Sequence, residues 1–268
     1  VITGAASGIG LAAAERFAGM GMRLCLVDVT ADALERAAAS LAPLARNGAR
    51  DLMTAVVDVR SEEALQALRD RVYAAFGEVG VLMNNAGIGP ASRALMPSQS
   101  WRDIIETNLW GVINGTQAFV QAMIAQGTPC AIVNTGSKQG ITCPPGNAAY
   151  NLSKAGVKVY TEQLAHELRT GDGRLISAHL LIPGFTFTGL TNTTEKPAAA
   201  WTAMQVVDFM IEKMGAGDFY ILCPDNDVTR AMDNRRMFWA MQDVIENRPA
   251  LSRWHPDHAE AFKRFMES

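Results

Sequence analysis

The chain opens with Val1-Ile2 running straight into Thr3-Gly4-Ala5-Ala6-Ser7-Gly8-Ile9-Gly10, and an alanine-rich stretch from Leu11 to Ala18 follows at once. Few beginnings restrict a fold more. A short apolar run, a glycine turn and a strong helix former, in that order, predict a buried strand end feeding a helix N-terminus. Free N–H groups and partial positive charge gather there, and glycines let the backbone come close, so the junction suits a pyrophosphate. The next apolar run, Leu24-Cys25-Leu26-Val27, ends in Asp28. An acidic side chain at the tip of a second strand, about 20 residues beyond the glycines, suits the ribose hydroxyls of NAD. A 2′-phosphate there would meet like charge, and neither Ser7 nor Val29 offers a compensating cation, so NAD is favoured over NADP.

The rest of the chain alternates. Strands are predicted at Val1–Thr3, Arg23–Val27, Met53–Val57, Val81–Met83, Ala131–Asn134, Ile176–Leu181 and Phe219–Leu222. Helices are predicted between them at Leu11–Gly19, Ala31–Leu44, Glu62–Phe76, Ser100–Gln126, Ala148–Leu168 and Ala198–Met214. Strict alternation predicts an α/β fold of the Rossmann kind, a doubly wound parallel sheet with helices on both faces. With 268 residues, 49% of them hydrophobic, a large core is available. No repeat, low-complexity segment or linker divides the chain, so one NAD-binding domain is expected over 1–268, with a core over 1–222 and a helical C-terminal extension over 223–268. Ligands bind such sheets at the carboxyl ends of the strands, and Asp28, Asp58, Asn85, Ser137 and Gly184 each follow a predicted strand.

Composition narrows the partners. A net charge of −3 provides no basic surface for nucleic acid. No apolar run approaches the roughly 18 residues of a membrane span, and no signal peptide opens the chain, so a cytoplasmic location is expected. Val1 already lies in the first predicted strand, and a short preceding stretch is expected to be missing. Cys25, Cys130, Cys143 and Cys223 show no paired spacing and read as reduced thiols. His255-Pro256-Asp257-His258 lacks a third ligand nearby, so no metal site is expected. Trp101, Trp110 and the methionine-rich helices read as core or subunit interface.

The chemistry points to Tyr150, with Lys154 four residues later and Ser137 thirteen residues before it. One helical turn places the lysine on the tyrosine's face, where its charge favours a phenolate. A hydroxyl from a neighbouring segment then shares a substrate oxygen with the phenol. This is equipment for moving a proton on and off an alcohol or ketone. Lowering a phenol from about 10 to near 7 takes about 4 kcal/mol. One cation 4–6 Å away at an effective dielectric of 20 supplies roughly 3–4 kcal/mol, so Lys154 and the positive nicotinamide ring of bound NAD are together sufficient.

Gly4-x-x-x-Gly8-x-Gly10, Asn84-Asn85-Ala86-Gly87, Asn108, Ser137, Tyr150-x-x-x-Lys154 and Pro183-Gly184, in this order and spacing, resemble the short-chain dehydrogenase/reductase family over residues 1 to 222. The resemblance implies that Gly4, Ser7, Gly8, Ile9 and Gly10 cradle the pyrophosphate and Asp28 holds the adenine ribose. It implies that Tyr150 takes the hydroxyl proton as hydride leaves for the nicotinamide, with Lys154 on the nicotinamide ribose and Ser137 on the substrate oxygen. Asn108 is implied to kink its helix and hold a water leading to the lysine. Asp58-Val59 resembles the adenine contact, although Asp58 also suits a helix cap. Asn85, Ala86 and Gly87 are implied to let the adenine ribose pass, or to serve as a structural turn. Pro183 and Gly184 precede Thr186 and Thr188, whose N–H and hydroxyl are implied to meet the carboxamide. Thr186 stands where members usually carry an aliphatic residue.

These readings lead to an NAD-dependent oxidoreductase interconverting a secondary alcohol and a ketone, forming a homodimer or homotetramer through Ser100–Gln126 and Ala148–Leu168. The alternatives are an NADP-dependent carbonyl or 3-oxoacyl reductase and a non-catalytic NAD-sensing scaffold. Gly189–Ala200 is expected to be the substrate loop. Phe185, Phe187, Leu190, Ile141 and Pro144 would make an apolar cleft, with Lys138 as a cation able to claim a carboxylate. The amphipathic segments Val228–Glu246 and Pro249–Ser268 are expected to cover that cleft or brace a neighbouring subunit.

Overall fold

The computed structural model describes residues 1–95, 97–191 and 193–267. Asn192, inside the expected substrate loop, and Ser268, at the end of the expected extension, lie outside them. In chain order the elements are β1 (Ile2–Thr3), α1 (Gly8–Gly19), β2 (Leu24–Asp28), α2 (Ala31–Leu41), β3 (Leu52–Val56), α3 (Glu62–Phe76) and β4 (Val81–Asn84). Then come α4 (Gln99–Ile105), α5 (Gly111–Ala125), β5 (Cys130–Thr135), α6 (Gln139–Thr142), α7 (Ala148–Thr170) and β6 (Ile176–Ile182). The remainder is β7 (Thr186–Phe187), β8 (Trp201–Thr202), α8 (Ala203–Gly215), β9 (Tyr220–Leu222), α9 (Arg230–Ile245) and α10 (Ala259–Glu267).

Seven strands form one parallel sheet in the order β3-β2-β1-β4-β5-β6-β9. Strand order reverses between β1 and β4, which opens a crevice at their carboxyl ends. Both faces of the sheet are buried, so its strands are apolar almost throughout rather than alternating with polar residues. Leu24 and Leu26 join Leu34 of α2, Phe17 of α1 and Val206, Val207 and Met210 of α8 on one face. Cys25 and Val27 point the other way, into a cluster with Leu65 and Leu68 of α3, Phe119 and Met123 of α5, and Leu164 of α7. Among the described residues no helix is long and apolar enough to cross a membrane.

Local chemistry sets the boundaries. Ser61 caps α3 by accepting from the Ala64 N–H at 3.2 Å, and Gly77 closes it in a left-handed conformation. Thr202 and Gln205 form a reciprocal capping box on α8. Two expectations need correction. The helix expected over Ser100–Gln126 is α4 and α5 separated by a π-helical turn at Glu106–Trp110. That turn absorbs Asn108, whose buried amide bonds the Ile88 backbone in both directions, at 2.8 Å each way. The helix expected from Ala198 begins only at Ala203, because Trp201 and Thr202 form β8 beside β7.

The extension has a small core of its own. Trp239 is buried against Phe262 and Phe265, and its indole N–H donates to Ser252 Oγ at 2.8 Å. Arg248 lies 4.2 Å over the same ring. Met237 faces the main body, packing on the cluster of Val112, Val157, Leu180, Ile182 and Leu222.

Candidate active site

One cleft of about 950 Å³ runs along the carboxyl ends of β1, β2, β3, β4, β5 and β6. At its first end, Gly10 packs so tightly that a Cβ there would stand 2.2 Å from the Gly4 carbonyl oxygen. Gly10 therefore lies behind the wall, while Gly4, Ser7, Gly8 and Ile9 line it. Ser7 makes no capping bond with its side chain, so the first N–H groups of α1 remain directed at the cleft. Asp28 ends β2 with its carboxylate fixed by backbone donors, Val29 N at 2.8 Å and Ala6 N at 3.2 Å.

Asp58, Val59, Asn85, Ala86 and Gly87 continue the wall. The helix-cap alternative for Asp58 fails, since Ser61 fills that role. Arg60 takes both Asp58 oxygens instead, with Nε at 2.8 and 3.0 Å and Nη2 at 2.6 Å. That hydrogen-bonded guanidinium holds the Asp58 carboxyl below the usual range. Asn85 ties three strand ends together: its Nδ2 donates to Thr3 O at 3.2 Å, and its Oδ1 accepts from Thr135 Oγ1 at 3.3 Å.

At the far end, α7 brings Tyr150 and Lys154 to the cleft, where Ser137 arrives from the end of β5. Ser137 and Tyr150 line the same end of the cleft, where the Ser137 hydroxyl favours the phenolate. Lys154 is buried, its ammonium donating to Thr135 O at 2.8 Å and standing 5.8 Å from the centroid of the Tyr150 ring. Burial alone brings its pKa down to about 8. Burial also raises the Tyr150 phenol above its ordinary value, with the Ser137 hydroxyl pulling the other way. The phenol of the protein alone thus lies above its ordinary value, while the charge arithmetic of the sequence counted a positively charged cofactor ring together with Lys154. Desolvation is the larger cause and Ser137 the smaller, opposing one, so a positive charge brought beside the ring would favour the phenolate. Asn108 lies behind the wall, its amide 3.4 Å from Ser153 Oγ on α7.

Pro183, Gly184, Thr186 and Thr188 form the opposite side, and the Thr188 methyl lies 3.3 Å from where a Gly8 Cβ would stand. Phe185 and Leu190 line this end of the cleft. Phe187, Ile141 and Pro144 do not; Ile141 instead packs inward on the Val157 and Leu180 cluster. Ile88, Gly89, Gln139 and Asn147 contribute where the sequence carried no signal beyond their proximity to the motifs. Lys138 is not free for a substrate carboxylate, because Asp225 and Asp233 hold its ammonium.

The family model for short chain dehydrogenases matches residues 1–199. A 1-deoxy-11-beta-hydroxypentalenate dehydrogenase from Streptomyces exfoliatus is 31% identical over 262 residues, covering 95% of this chain and 93% of its own. A short chain dehydrogenase/reductase from Burkholderia phymatum, solved in complex with NAD, superposes with a TM-score of 0.82 at 31% identity, over 93% of this chain and 94% of its own. A 3-ketoacyl-(acyl-carrier-protein) reductase from Brucella melitensis, solved with NADH, gives a TM-score of 0.71 at 27% identity, over 84% of this chain and 94% of its own.

Proposed function

This chain belongs to the short-chain dehydrogenase family of oxidoreductases, and we propose that it uses NAD to interconvert a secondary alcohol and a ketone with an apolar body. The observation that carries the reading is the convergence of the Ser137 hydroxyl, the Tyr150 phenol and the buried Lys154 ammonium on one cleft. The close backbone approach at Gly4 and Gly10, the uncapped start of α1 and the fixed Asp28 carboxylate fit a dinucleotide. Gly4, Ser7, Gly8 and Ile9 would hold its pyrophosphate, with Asp28 on the adenine ribose. Asn85, Ala86, Gly87, Thr186 and Thr188 would lie along the remainder. Arg60 occupies Asp58, so the guanidinium–carboxylate pair, rather than a bare carboxylate, would face the adenine.

When bound, oxidised nicotinamide supplies the hydride acceptor and a positive charge beside the phenol. In the protein, Ser137 donates to the substrate oxygen and Tyr150 accepts the hydroxyl proton. Lys154 favours the phenolate from within the α7 wall. Asn108 holds the Ile88 backbone on one side and meets Ser153 on the other, which keeps the substrate wall aligned with α7. Ile88, Gly89, Phe185 and Leu190 give the substrate end its apolar character. The Streptomyces relative, named as the dehydrogenase of a hydroxylated compound, supports the alcohol reading. The Burkholderia structure, solved with NAD, supports the cofactor.

We also read residues 1–222 as the core and 223–268 as an extension of the same unit, assembling as a homodimer or homotetramer. Reduced-nicotinamide absorbance, followed over a panel of aliphatic, aromatic and polycyclic secondary alcohols with NAD and NADP, tests the whole reading. NAD is expected to be preferred, and Asp28→Ala to erase that preference. Tyr150→Phe is expected to lower turnover by roughly 10²–10⁴-fold while NAD still binds. Preference for NADP in the unaltered protein, or unchanged turnover in Tyr150→Phe, sinks it.

A further inference from the structure

We propose that Lys138, Asp225 and Asp233 form a clamp through which the C-terminal extension positions Ser137 against Tyr150, an inference that rests on the oxidoreductase reading above. Lys138 follows Ser137 directly, yet its ammonium is engaged with the extension. It stands 2.6 Å from Asp233 Oδ2 and 3.2 Å from Asp225 Oδ2. The three side chains are only 16%, 6% and 6% exposed, so screening by water is weak, and loss of one carboxylate leaves Lys138 tethered from one side only. Asp233 belongs to the first turns of α9, and Asp225 lies in the turn that precedes it.

The clamp touches both walls of the cleft. Lys138 N donates to Pro183 O at 3.2 Å, and Phe185 N donates to Asp225 Oδ2 at 3.3 Å. Gly184 is so close that a Cβ on it would lie 2.7 Å from Asp225 Oδ2 and 2.9 Å from Lys138 Nζ. The next residue, Asn226, extends the hold to the end of the substrate loop, donating from Nδ2 to Ala198 O at 2.6 Å. Among the described residues, none beyond Thr191 lines the cleft. The extension therefore reaches the reacting groups only through residues it holds, and Lys138, Asp225 and Asp233 are positioning residues rather than catalytic ones.

A hydroxyl-to-phenol contact is sensitive to small displacements, since hydrogen bonds weaken steeply with angle and misplacement by about 1 Å can cost about a hundredfold in rate. Asp233→Asn retains shape while removing one charge, and Asp225→Asn does the same from the other side. Each is expected to lower kcat for alcohol oxidation roughly tenfold to a hundredfold, with NAD affinity by titration calorimetry within about twofold of the parent. Because the Ser137 hydroxyl beside the cleft lowers the Tyr150 pKa, its displacement is expected to move the acid limb of the kcat–pH profile to higher pH. A variant that melts earlier but keeps the parent's kcat and acid limb would show a purely structural brace and overturn the proposal. Should Asp233→Asn fail to fold, Asp225→Asn supplies the same comparison. Should both fail, Asp233→Glu, which keeps the charge and moves it outward by one methylene, is read by the same limb.

The two readings fail separately. A parent protein that binds NAD and oxidises no secondary alcohol removes the oxidoreductase reading. The clamp is then still read from the ultraviolet titration of the Tyr150 phenol in the cofactor-free protein, with Tyr150→Phe subtracted. An upward shift in the Asp→Asn variants supports the clamp, and an unmoved titration refutes it.

Discussion

Lys154 is the costliest charge in the cleft. It is buried, with a backbone carbonyl as its hydrogen-bond acceptor, and its pKa is brought down from 10.5 to about 8 by desolvation. Below pH 8 both folded and unfolded chains carry the proton, and the folded state bears the whole penalty, about 3 kcal/mol at 1.36 kcal/mol per unit. Between about 8 and 10.5 the unfolded chain binds the extra proton, so stability rises with pH through that window. Lys154→Met is accordingly expected to melt higher than the parent at pH 7 and to lose the pH-dependent gain above 8, while alcohol oxidation falls by a hundredfold or more, as about 3 kcal/mol implies. Differential scanning calorimetry across pH, paired with the turnover assay, checks both halves. A lower melting point at pH 7 would show that the ammonium stabilises the fold. Tyr150, Lys154 and Asp28 were legible in the sequence because each sits at a fixed offset within one helix or at one strand tip. The engagement of Lys138 was not, because its partner Asp225 lies 87 residues further along and nothing local marks the pair.

Strands and helices show the same division between local and distant signals. Apolar runs ending in small or acidic residues located every strand of the main sheet, since burial on both faces leaves a continuous hydrophobic segment. A kink at Asn108 was implied by the family resemblance alone, since the cause of the interruption at Glu106–Trp110 is the Ile88 backbone, a partner outside the helix. The pairing of β7 with β8 escaped notice, being two residues long on each side. A third hidden contact is α6 on α7. A Cβ on Gly140 would lie 2.5 Å from the Lys154 carbonyl carbon and 2.7 Å from Ala155 N, and backbone cannot give way as a side chain does. Gly140→Ala is expected to push α6 outward, costing about 1–3 kcal/mol by overpacking, and to displace Ser137 just before it. Gly19→Ala, with nothing within 4 Å of its would-be Cβ, serves as a control and should be neutral or up to about 1 kcal/mol stabilising. Urea unfolding of both, read beside kcat, decides the matter; equal stability of the two variants would show that α6 floats free of α7.

The surface still carries apolar area that a lone chain leaves in water. On α7, Leu152 and Val159 are each 55% exposed and seven residues apart, so they share a face, and Trp110 of the π-helical turn is 52% exposed. A separate stripe on α9 exposes Phe238, Met241, Val244 and Ile245. Exposed apolar area is stabilised by roughly 25 cal/mol for each Å² removed from water, which favours pairing of copies through such faces. Closed assemblies use self-complementary patches, one for a two-fold dimer and two for a tetramer. If α7 forms the first patch, a glutamate at its centre places two like charges across the two-fold axis, where each also loses hydration. Val159→Glu is therefore expected to halve the mass seen by sedimentation equilibrium, a dimer falling to single chains or a tetramer to dimers. The melting point should fall and become independent of protein concentration if single chains result. A parent protein that sediments as one chain, or an assembly indifferent to the new charge, would remove α7 from the interface.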